Sequence, residues 1–350
     1  MQPQRILIAT DAWRPQVNGV VRTLEKTIAV LEKLGHIIEV LEPHQFRGMP
    51  FPFYREIWLC MPSWKKLTAR IDAFRPTAVH IATEGPLGLA VRRLCIRRGW
   101  DFTTSYHTKF PEYLRRIVGV PTAWTYKYMR WFHSSSARTM VATDTLEREL
   151  VDRGLKGPFA RWSRGVDLSQ FYPREKSVLD FPRPILLYVG RVSHEKSVED
   201  FLALRVPGTK VVVGDGPIRA RLESTYSDSV FLGYRSGEAL AEVYASADLF
   251  VFPSRTDTFG LVIIEALASG LPVAAYPVIG PIDILTEPNV GAMDDNLEKA
   301  VNRALEVGNR DACVELGRRF TWERCTDQFL ENLVPLSPLL MPVEELGSAN

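Results

Sequence analysis

The sequence lacks the features that mark membrane-spanning and disulfide-stabilised proteins. Its 350 residues contain no uninterrupted apolar run near the roughly 18 that a transmembrane helix needs, and the apolar run near its start is too short for a signal peptide. The four cysteines, Cys60, Cys95, Cys313 and Cys325, are widely separated and never in Cys-x-x-Cys spacing. Neither a disulfide framework nor a zinc site is indicated, and a reducing cytoplasm is the compartment we expect.

The two halves of the chain have opposite net charges. Residues 1–165 contain 26 Lys and Arg against 14 Asp and Glu, a net charge of +12, whereas the remainder has a net charge of −10. A basic first half is typical of a protein that meets an anionic partner. Nucleic acid and an anionic membrane surface are both candidates from charge alone.

Two similar openings divide the chain into an α/β protein of two domains. A short apolar strand leads through a glycine-bearing loop into a helix once from Arg5 and again from Pro184. Short apolar strands alternate with helical patterns after each opening, which predicts two doubly wound parallel sheets. We expect an N-terminal domain over residues 1–165, a proline-rich linker over 166–184, a second domain over 185–320 and a C-terminal helix within 321–350. The predicted strands that can be compared with a structure are 37–41, 78–81, 102–105, 139–142, 210–213, 230–232, 249–252 and 273–275.

The strongest local signal is Asp257-Thr-Phe-Gly260-Leu-Val-Ile-Ile-Glu265, where a strand leads through a loop into a helix. Glycine lets a ligand approach main-chain N–H groups, and a helix N-terminus carries about half a positive charge, which suits a diphosphate. Glu265, one turn into the helix, can accept two hydroxyl protons from a ribose, and Asp257 can do the same for a sugar. On spacing alone, a plain strand–loop–helix unit with a solvated Asp and a capping Glu is the alternative.

A second signal is Gly190-Arg191-Val-Ser-His-Glu-Lys196, which follows the strand that opens the second half. Arg offers a planar fork of donors and Lys a point charge, and both can neutralise a diphosphate. A surface pair is the alternative interpretation of these two residues.

Together these stretches resemble retaining glycosyltransferase family 4. The seven-residue spacing of Asp257 and Glu265 matches the family's E-x7-E region, with Asp in place of the first Glu. The resemblance implies that Asp257 contacts the donor sugar, Glu265 the nucleotide ribose, and Arg191 and Lys196 the donor phosphates. The Thr-Asp-Thr-Phe-Gly version is similar to that of a bacterial subgroup of mannosyltransferases and diacylglycerol glycosyltransferases.

Further residues match the family in order along the chain. Those that the resemblance assigns to the donor are Gly19, Gly214, Thr258, Phe259 and Gly260, and those that it assigns to the acceptor are Glu84, His107, Thr108 and Lys109. Arg235, in the loop after Gly233, is the residue that we expect at the nucleotide base. The resemblance implies a GT-B fold, retention of anomeric configuration, a C-terminal helix that returns to the first domain, and catalytic roles for His107, Arg191, Lys196 and Asp257. No Asp-x-Asp pair is present, and Arg191 and Lys196 can offset the diphosphate charge, so neither a metal nor any other cofactor is expected.

Aromatic and basic residues alternate on a predicted helix in the first half. Trp124, Tyr128 and Trp131 fall at i, i+4 and i+7, with Lys127 and Arg130 beside them. Interfacial helices combine these residue types because the rings lie at headgroup level while the cations meet anionic lipid. An aromatic core helix with a solvated basic edge is the alternative.

These features predict transfer of a glucosyl, glucuronosyl or mannosyl group from a UDP- or GDP-linked sugar to a membrane lipid such as diacylglycerol. The enzyme would then be attached peripherally to the cytoplasmic face of the inner membrane. A mannosyltransferase acting on a soluble or polysaccharide acceptor and a nucleotide-sugar epimerase remain as alternatives. A basic nucleic-acid-binding protein would explain the charge of the first half, but it has no use for Arg191, Lys196, Asp257 and Glu265 in one cleft. Nucleic acid is therefore not expected as a partner.

Overall fold

The structure, a computed structural model, describes residues 2–16, 18–51, 54–176 and 178–336. The strands among them are β1 (Arg5–Ala9), β2 (Ile37–Leu41), β3 (Gly48–Phe51), β4 (Tyr54–Cys60), β5 (Ala78–Ile81), β6 (Thr103–Ser105), β7 (Arg138–Val141), β8 (Phe159–Arg161), β9 (Ile185–Val189), β10 (Thr209–Val213), β11 (Val230–Gly233), β12 (Leu249–Phe252), β13 (Val273–Ala275) and β14 (Gly291–Met293). The helices are α1 (Gly19–Lys33), α2 (Trp64–Phe74), α3 (Pro86–Arg98), α4 (Phe110–Val118), α5 (Thr122–His133), α6 (Asp144–Asp152), α7 (Val198–Leu202), α8 (Arg219–Thr225), α9 (Gly237–Ser246), α10 (Leu261–Ala268), α11 (Pro281–Ile284), α12 (Leu297–Val307), α13 (Arg310–Gly317) and α14 (Trp322–Asn332).

The first half folds around a parallel sheet of six strands in the order β2-β1-β5-β6-β7-β8. Its central strand β1 is apolar on both faces, and Ile6, Leu7 and Ile8 are completely buried. Strands buried on both faces read as continuous apolar runs because helices cover the sheet on either side. The strand order reverses between β1 and β5, so the loops that follow them diverge at the carboxyl edge of the sheet.

The second half repeats this architecture with the strand order β11-β10-β9-β12-β13-β14. Here the order reverses between β9 and β12. Open α/β sheets bind ligands beyond the carboxyl ends of the strands, at the point where the order reverses. A ligand of the second domain is therefore expected at the loops after β9 and β12, which carry the two motifs identified in the sequence.

The end of the described chain returns to the first domain. Trp322 and Phe329 of α14 pack with Ile8, Leu24 and Trp162 in one apolar cluster. Val166 forms a bridge with Thr321 where the two crossings of the chain between the domains meet. The segment predicted as 321–350 continues through 337–350, which lies outside the described residues.

The segment predicted as the linker contacts the second domain closely. Phe171 is completely buried, and Phe171 and Leu179 both belong to the apolar cluster that includes Phe250 and Ile264 of the second sheet and its helix. This segment therefore adds to the core of the second domain as well as connecting the domains.

Candidate active site

The loops after β9 and β12 bring two of the predicted catalytic side chains into contact. Lys196 Nζ donates a hydrogen bond to Asp257 Oδ1, and the two form a partly buried ion pair. The strands are neighbours in the sheet, so residues shortly beyond their carboxyl ends share the same edge. The spacing of the motifs predicted a common site for Lys196 and Asp257, and the geometry of the sheet explains it.

The charge of Asp257 depends on the lysines around it. Burial alone would raise the pKa of Asp257, but Lys196, the nearby Ser254 hydroxyl and Lys109 together outweigh burial and hold that pKa below its ordinary value. Oδ2 of the same carboxylate is buried without a hydrogen-bond partner among the residues that the structure describes. An ionised carboxylate with one unused oxygen is suited to accept a hydroxyl proton from a sugar.

The N-terminus of α10 lies between three of the predicted glycines. Gly260 caps the helix at a φ of 96°, where a Cβ would lie 2.9 Å from Ile263 Cδ1, so the turn requires glycine. Gly19, the first residue of α1, faces it from the other domain, since a Cβ there would lie 3.5 Å from Leu261 Cδ1. Gly214 follows β10, and a Cβ there would lie only 1.9 Å from the carbonyl oxygen of Gly190. Gly19 and the positive end of α10 thus meet across the domain boundary, and a helix N-terminus is a group suited to bind phosphate.

Glu265 lies deep in the cleft and already has partners on both oxygens. Arg22 of α1 reaches across from the first domain to pair with Oε1, and the Tyr244 hydroxyl donates to Oε2 at 3.0 Å. Burial raises the pKa of Glu265, and the contacts with Arg22 and Tyr244 oppose that rise without cancelling it. Arg22 and Tyr244 were not predicted from the sequence, and a ribose that uses Glu265 must share the carboxylate with them or displace Arg22.

His107 of the first domain contacts the loop between β12 and α10, which carries Asp257. Its carbonyl oxygen accepts a hydrogen bond from the Thr258 hydroxyl at 2.6 Å, and its imidazole Nδ1 lies 2.9 Å from an Arg164 guanidinium nitrogen. Burial, Arg164 and His80 hold the pKa of His107 well below its ordinary value. The ring is therefore a neutral imidazole at the edge of the cleft.

The other predicted acceptor residues lie around His107. Thr108 is exposed beside it, and Lys109 Nζ donates to Glu149 Oε2 at 2.8 Å. Glu84 follows β5, where its carboxylate lies 3.3 Å from His133 Nε2 and its carbonyl oxygen accepts a 2.6 Å hydrogen bond from Tyr128. Of these residues, Lys109 lies near enough to Asp257 to influence the charge of that carboxylate.

The remaining predicted donor residues differ in what they present. Phe259 is buried and packs against Phe320 with ring centroids 6.0 Å apart, so any contact with a donor falls to its main chain. Arg191 lies two residues beyond the end of β9, and its carbonyl oxygen accepts a hydrogen bond from the Tyr188 hydroxyl. Arg235 lies in the loop after β11, and its guanidinium donates to the Tyr234 carbonyl oxygen at 3.1 Å.

A cavity of about 450 Å³ opens beside this cleft. Its lining includes Glu112 and Arg115 of α4, Thr122 at the start of α5, Arg153, and Thr256, the neighbour of Asp257. The cavity therefore lies between the loop of the second domain that carries Asp257 and the helices α4 and α5 of the first domain. Its polar and charged lining is suited to a ligand rich in hydroxyl groups.

Helix α5 presents the predicted aromatic and basic residues unequally. Trp124 is 74% exposed and Trp131 50% exposed, with Lys127 and Arg130 exposed on the same helix. Tyr128 is half-buried, and its hydroxyl donates to the carbonyl oxygen of Glu84. The exposed surface consists of Trp124, Lys127, Arg130 and Trp131, which we call the α5 face.

The described part of the chain has neither a membrane-spanning helix nor a cluster of metal-binding side chains. None of its helices combines the length and apolar character needed to cross a membrane. Nor does this part contain a group of three or more His, Cys, Asp and Glu side chains placed to hold a metal ion.

Two doubly wound α/β domains that meet at a cleft are the architecture of the GT-B glycosyltransferases. Among solved structures, the sucrose-phosphate synthase of Thermosynechococcus elongatus superposes with a TM-score of 0.74 at 20% identity. The superposition covers 93% of this chain and 97% of that one. At this identity the likeness shows the fold, and it confirms the prediction of GT-B architecture.

Sequence comparison identifies the family. The model described as Glycosyltransferase Family 4 matches residues 17–170, and the model described as Glycosyl transferases group 1 matches residues 183–306. The chain is 33% identical over 319 residues to the GDP-mannose-dependent alpha-mannosyltransferase of Mycobacterium tuberculosis, with 83% of each chain covered. It is 25% identical over 314 residues to the alpha-monoglucosyldiacylglycerol synthase of Streptococcus pneumoniae, covering 78% of this chain and 71% of that relative. The chain belongs to glycosyltransferase family 4 and is a glycosyltransferase that uses a nucleotide sugar.

Proposed function

We propose that this enzyme transfers a hexosyl group with retention of configuration to a membrane lipid such as diacylglycerol. Mannose from GDP-mannose is the favoured donor sugar because the mycobacterial relative, at 33% identity, is named for that donor. The lipid acceptor is supported by the streptococcal relative, whose name places glucose on diacylglycerol. The observation that carries the proposal is the cavity that links the loop bearing Asp257 to the helix with the exposed tryptophans.

We infer the orientation of the donor from the roles predicted for its residues. With its diphosphate between the α10 N-terminus and Gly19, the ribose is directed to Glu265 and the sugar to Asp257. Lys196 and Arg191 then flank the bond that breaks. Charge that develops on the departing diphosphate is stabilised by the cation of Lys196 and by the helix N-terminus.

The acceptor enters from the side of the first domain. The cavity reaches from Thr256, next to Asp257, to Thr122 at the start of α5, and Trp124 lies less than one turn further along that helix. A lipid headgroup of the size of glycerol fits within about 450 Å³, while its acyl chains remain in the bilayer that the α5 face contacts. Glu112 and Arg115 provide an acceptor and donors for headgroup hydroxyl groups.

The proposal includes no divalent ion and no other cofactor. Lys196, Arg191 and the α10 N-terminus together supply the positive charge that magnesium or manganese would otherwise bring to a diphosphate. Transfer is therefore expected to persist in excess EDTA.

Membrane attachment through the α5 face gives the first prediction. Each cation near an anionic leaflet contributes about 1 kcal/mol, so Lys127→Gln/Arg130→Gln should weaken binding to anionic vesicles by about 30-fold. The basic contribution decays over a Debye length of about 8–10 Å and should fall as salt rises, while the tryptophans leave a salt-resistant remainder. Co-sedimentation with vesicles of varied anionic content measures both contributions.

The same assay includes a matched control and a contradicting result. Trp124→Ala/Trp131→Ala should lose the salt-resistant remainder, whereas Tyr172→Ala, which removes an exposed aromatic ring in the segment between the domains, should bind like wild type. Equal binding of wild type to neutral and anionic vesicles, or binding to neither, would remove the case for a lipid acceptor. A soluble sugar acceptor would then be the better proposal.

A further inference from the structure

A buried arginine beside the cleft has no carboxylate partner in the part of the chain that the structure describes. Arg164 is 5% exposed, and its guanidinium donates to the carbonyl oxygens of Trp162 and Ser163 at 2.7 and 2.9 Å. Its remaining hydrogen bond is to His107, and no ion pair to it exists within residues 2–16, 18–51, 54–176 and 178–336. Burial of an unpaired guanidinium is costly, so this charge requires an explanation other than stability.

The contact with His107 determines which imidazole nitrogen carries the proton. A guanidinium can only donate hydrogen bonds, so His107 Nδ1 must accept at 2.9 Å and must be unprotonated. A neutral imidazole then carries its hydrogen on Nε2. That nitrogen is buried and hydrogen bonds to no described side chain or main-chain group.

His107 lies beside the loop that carries Asp257. Thr258, the residue after Asp257, holds the His107 carbonyl oxygen from the second domain. The Trp162 ring packs beside the imidazole with centroids 5.2 Å apart and an interplanar angle of 67°. The Arg164 guanidinium in turn lies 5.3 Å from the centroid of the same ring, so Trp162 fixes both partners of the hydrogen bond.

We propose that Arg164 is a positioning residue that fixes His107 as the neutral Nε2–H tautomer, so that His107 is a permanent hydrogen-bond donor to the donor sugar. The inference rests on the proposed function for the role of His107, while the tautomer itself follows from the contact with Arg164. A sugar hydroxyl that accepts from Nε2 satisfies the hydrogen-bonding group that the protein leaves without a partner. A protonated ring would place a second cation beside Arg164 and is disfavoured by the Coulomb repulsion between them.

The groups that face His107 do not compete with this assignment. Arg164 approaches from the segment after β8, and His80 of β5 is the other titratable group near the ring. His80 has both nitrogens hydrogen-bonded, to Thr103 and Ser105, and burial lowers its pKa to about 3, so it stays neutral. Cys325 of α14 lies near Arg164, and burial raises the pKa of its thiol to about 11. Arg164 therefore supplies the permanent charge that faces the imidazole.

The direct test is the nitrogen-15 NMR spectrum of the histidine side chains, in which the two neutral tautomers and the imidazolium differ. The chain has six histidines, and His107→Gln identifies the signals by their loss. We expect His107 to be the Nε2–H tautomer and to remain so from pH 8 to about 5.5, because burial, Arg164 and His80 lower its pKa. An Nδ1–H tautomer or an imidazolium at pH 7 would overturn the inference.

Substitutions of Arg164 test its effect on turnover. Arg164→Met should mix the tautomers and lower kcat by about 10- to 100-fold, as for other residues that orient a functional imidazole. Arg164→Lys retains a donor and a charge, so it should keep the Nε2–H signal and remain within about tenfold of wild type. An Arg164→Met enzyme with the wild-type spectrum and turnover would contradict the proposal.

A matched control separates positioning from stability. Arg92 of α3 is equally buried and donates to the carbonyl oxygens of Phe132 and Trp131 rather than to His107. Arg92→Met should lower the melting temperature and leave the His107 spectrum unchanged. If the His107 tautomer is as expected but His107→Gln turns over donor at the wild-type rate, the proposed function of His107 fails while the tautomer assignment stands.

Discussion

Replacing Lys196 with alanine is expected to lower turnover by about 30- to 1000-fold while the fold persists. The substitution removes a charge-assisted contact to the departing diphosphate, and similar losses are about 2–4 kcal/mol of transition-state stabilisation. It also leaves Asp257 buried without its ion-pair partner, which raises the pKa of that carboxyl and weakens it as a hydrogen-bond acceptor. Steady-state release of nucleoside diphosphate measures the effect.

Two further variants make the result specific. Lys196→Arg retains the charge and should recover part of the turnover, and Lys299→Ala removes an exposed lysine of the same domain and should turn over like wild type. Thermal unfolding of each variant checks that the fold is intact. Near wild-type turnover in Lys196→Ala would remove Lys196 from the donor site.

Replacing Glu265 with glutamine is expected to weaken binding of a nucleoside diphosphate by about 10- to 100-fold, because hydrogen bonds to a charged group contribute about 1.5–3 kcal/mol each. The amide keeps the shape of the side chain but can accept ribose hydroxyl protons on one atom only. In the free protein the same substitution breaks the ion pair with Arg22, so the change in affinity includes release of that contact. Calorimetric titration with GDP and with 2′-deoxy-GDP measures it.

The deoxynucleotide makes this experiment selective for the ribose contact. Wild type should prefer GDP to 2′-deoxy-GDP, and Glu265→Gln should lose most of that preference. Glu315→Gln, which changes an exposed carboxylate of α13, should keep it. An unchanged preference in Glu265→Gln would show that the carboxylate does not contact the 2′-hydroxyl.

The buried parallel strands could be predicted from the sequence because their apolar runs are continuous. The predictions at 37–41, 78–81, 249–252 and 273–275 match β2, β5, β12 and β13 residue for residue. The predictions at 102–105 and 210–213 differ from β6 and β10 by one residue at one end, the prediction at 139–142 is shifted by one residue from β7, and β11 extends one residue further than predicted. A strand that is buried on both faces is apolar at nearly every position, so its extent can be read from the sequence.

Strands at the edges of the fold were missed for the opposite reason. β8 reads Phe-Ala-Arg and β14 reads Gly-Ala-Met, each only three residues long, so neither forms a recognisable apolar run. The antiparallel pair β3 and β4 was also missed, and its register shifts between Pro50 and Phe51. Pairing with a neighbour defines these strands, and that information is not local.

The candidate site shows a similar division. Asp257, Glu265, Arg191 and Lys196 stand out in the sequence because their motifs follow apolar strands, and their roles toward a donor stay predictions. Arg22, Tyr244 and Arg164 were missed because their roles depend on contacts between distant segments. One signal was available, since Arg22 lies three residues beyond Gly19 on α1, nearly one helical turn from a residue already assigned to the cleft.

The proposed transfer of a hexosyl group to a membrane lipid is tested most directly by a screen of purified protein against GDP-mannose, UDP-glucose and UDP-glucuronate. The screen is made in the presence of anionic vesicles that contain diacylglycerol. Release of nucleoside diphosphate and formation of glycolipid are measured together, with and without excess EDTA. We expect GDP release from GDP-mannose only when diacylglycerol is present. The amount of GDP should equal the amount of mannosyl lipid formed, and EDTA should not change it. Failure to release nucleoside diphosphate from any donor, or release of free sugar at the same rate without an acceptor, would contradict the proposed transfer.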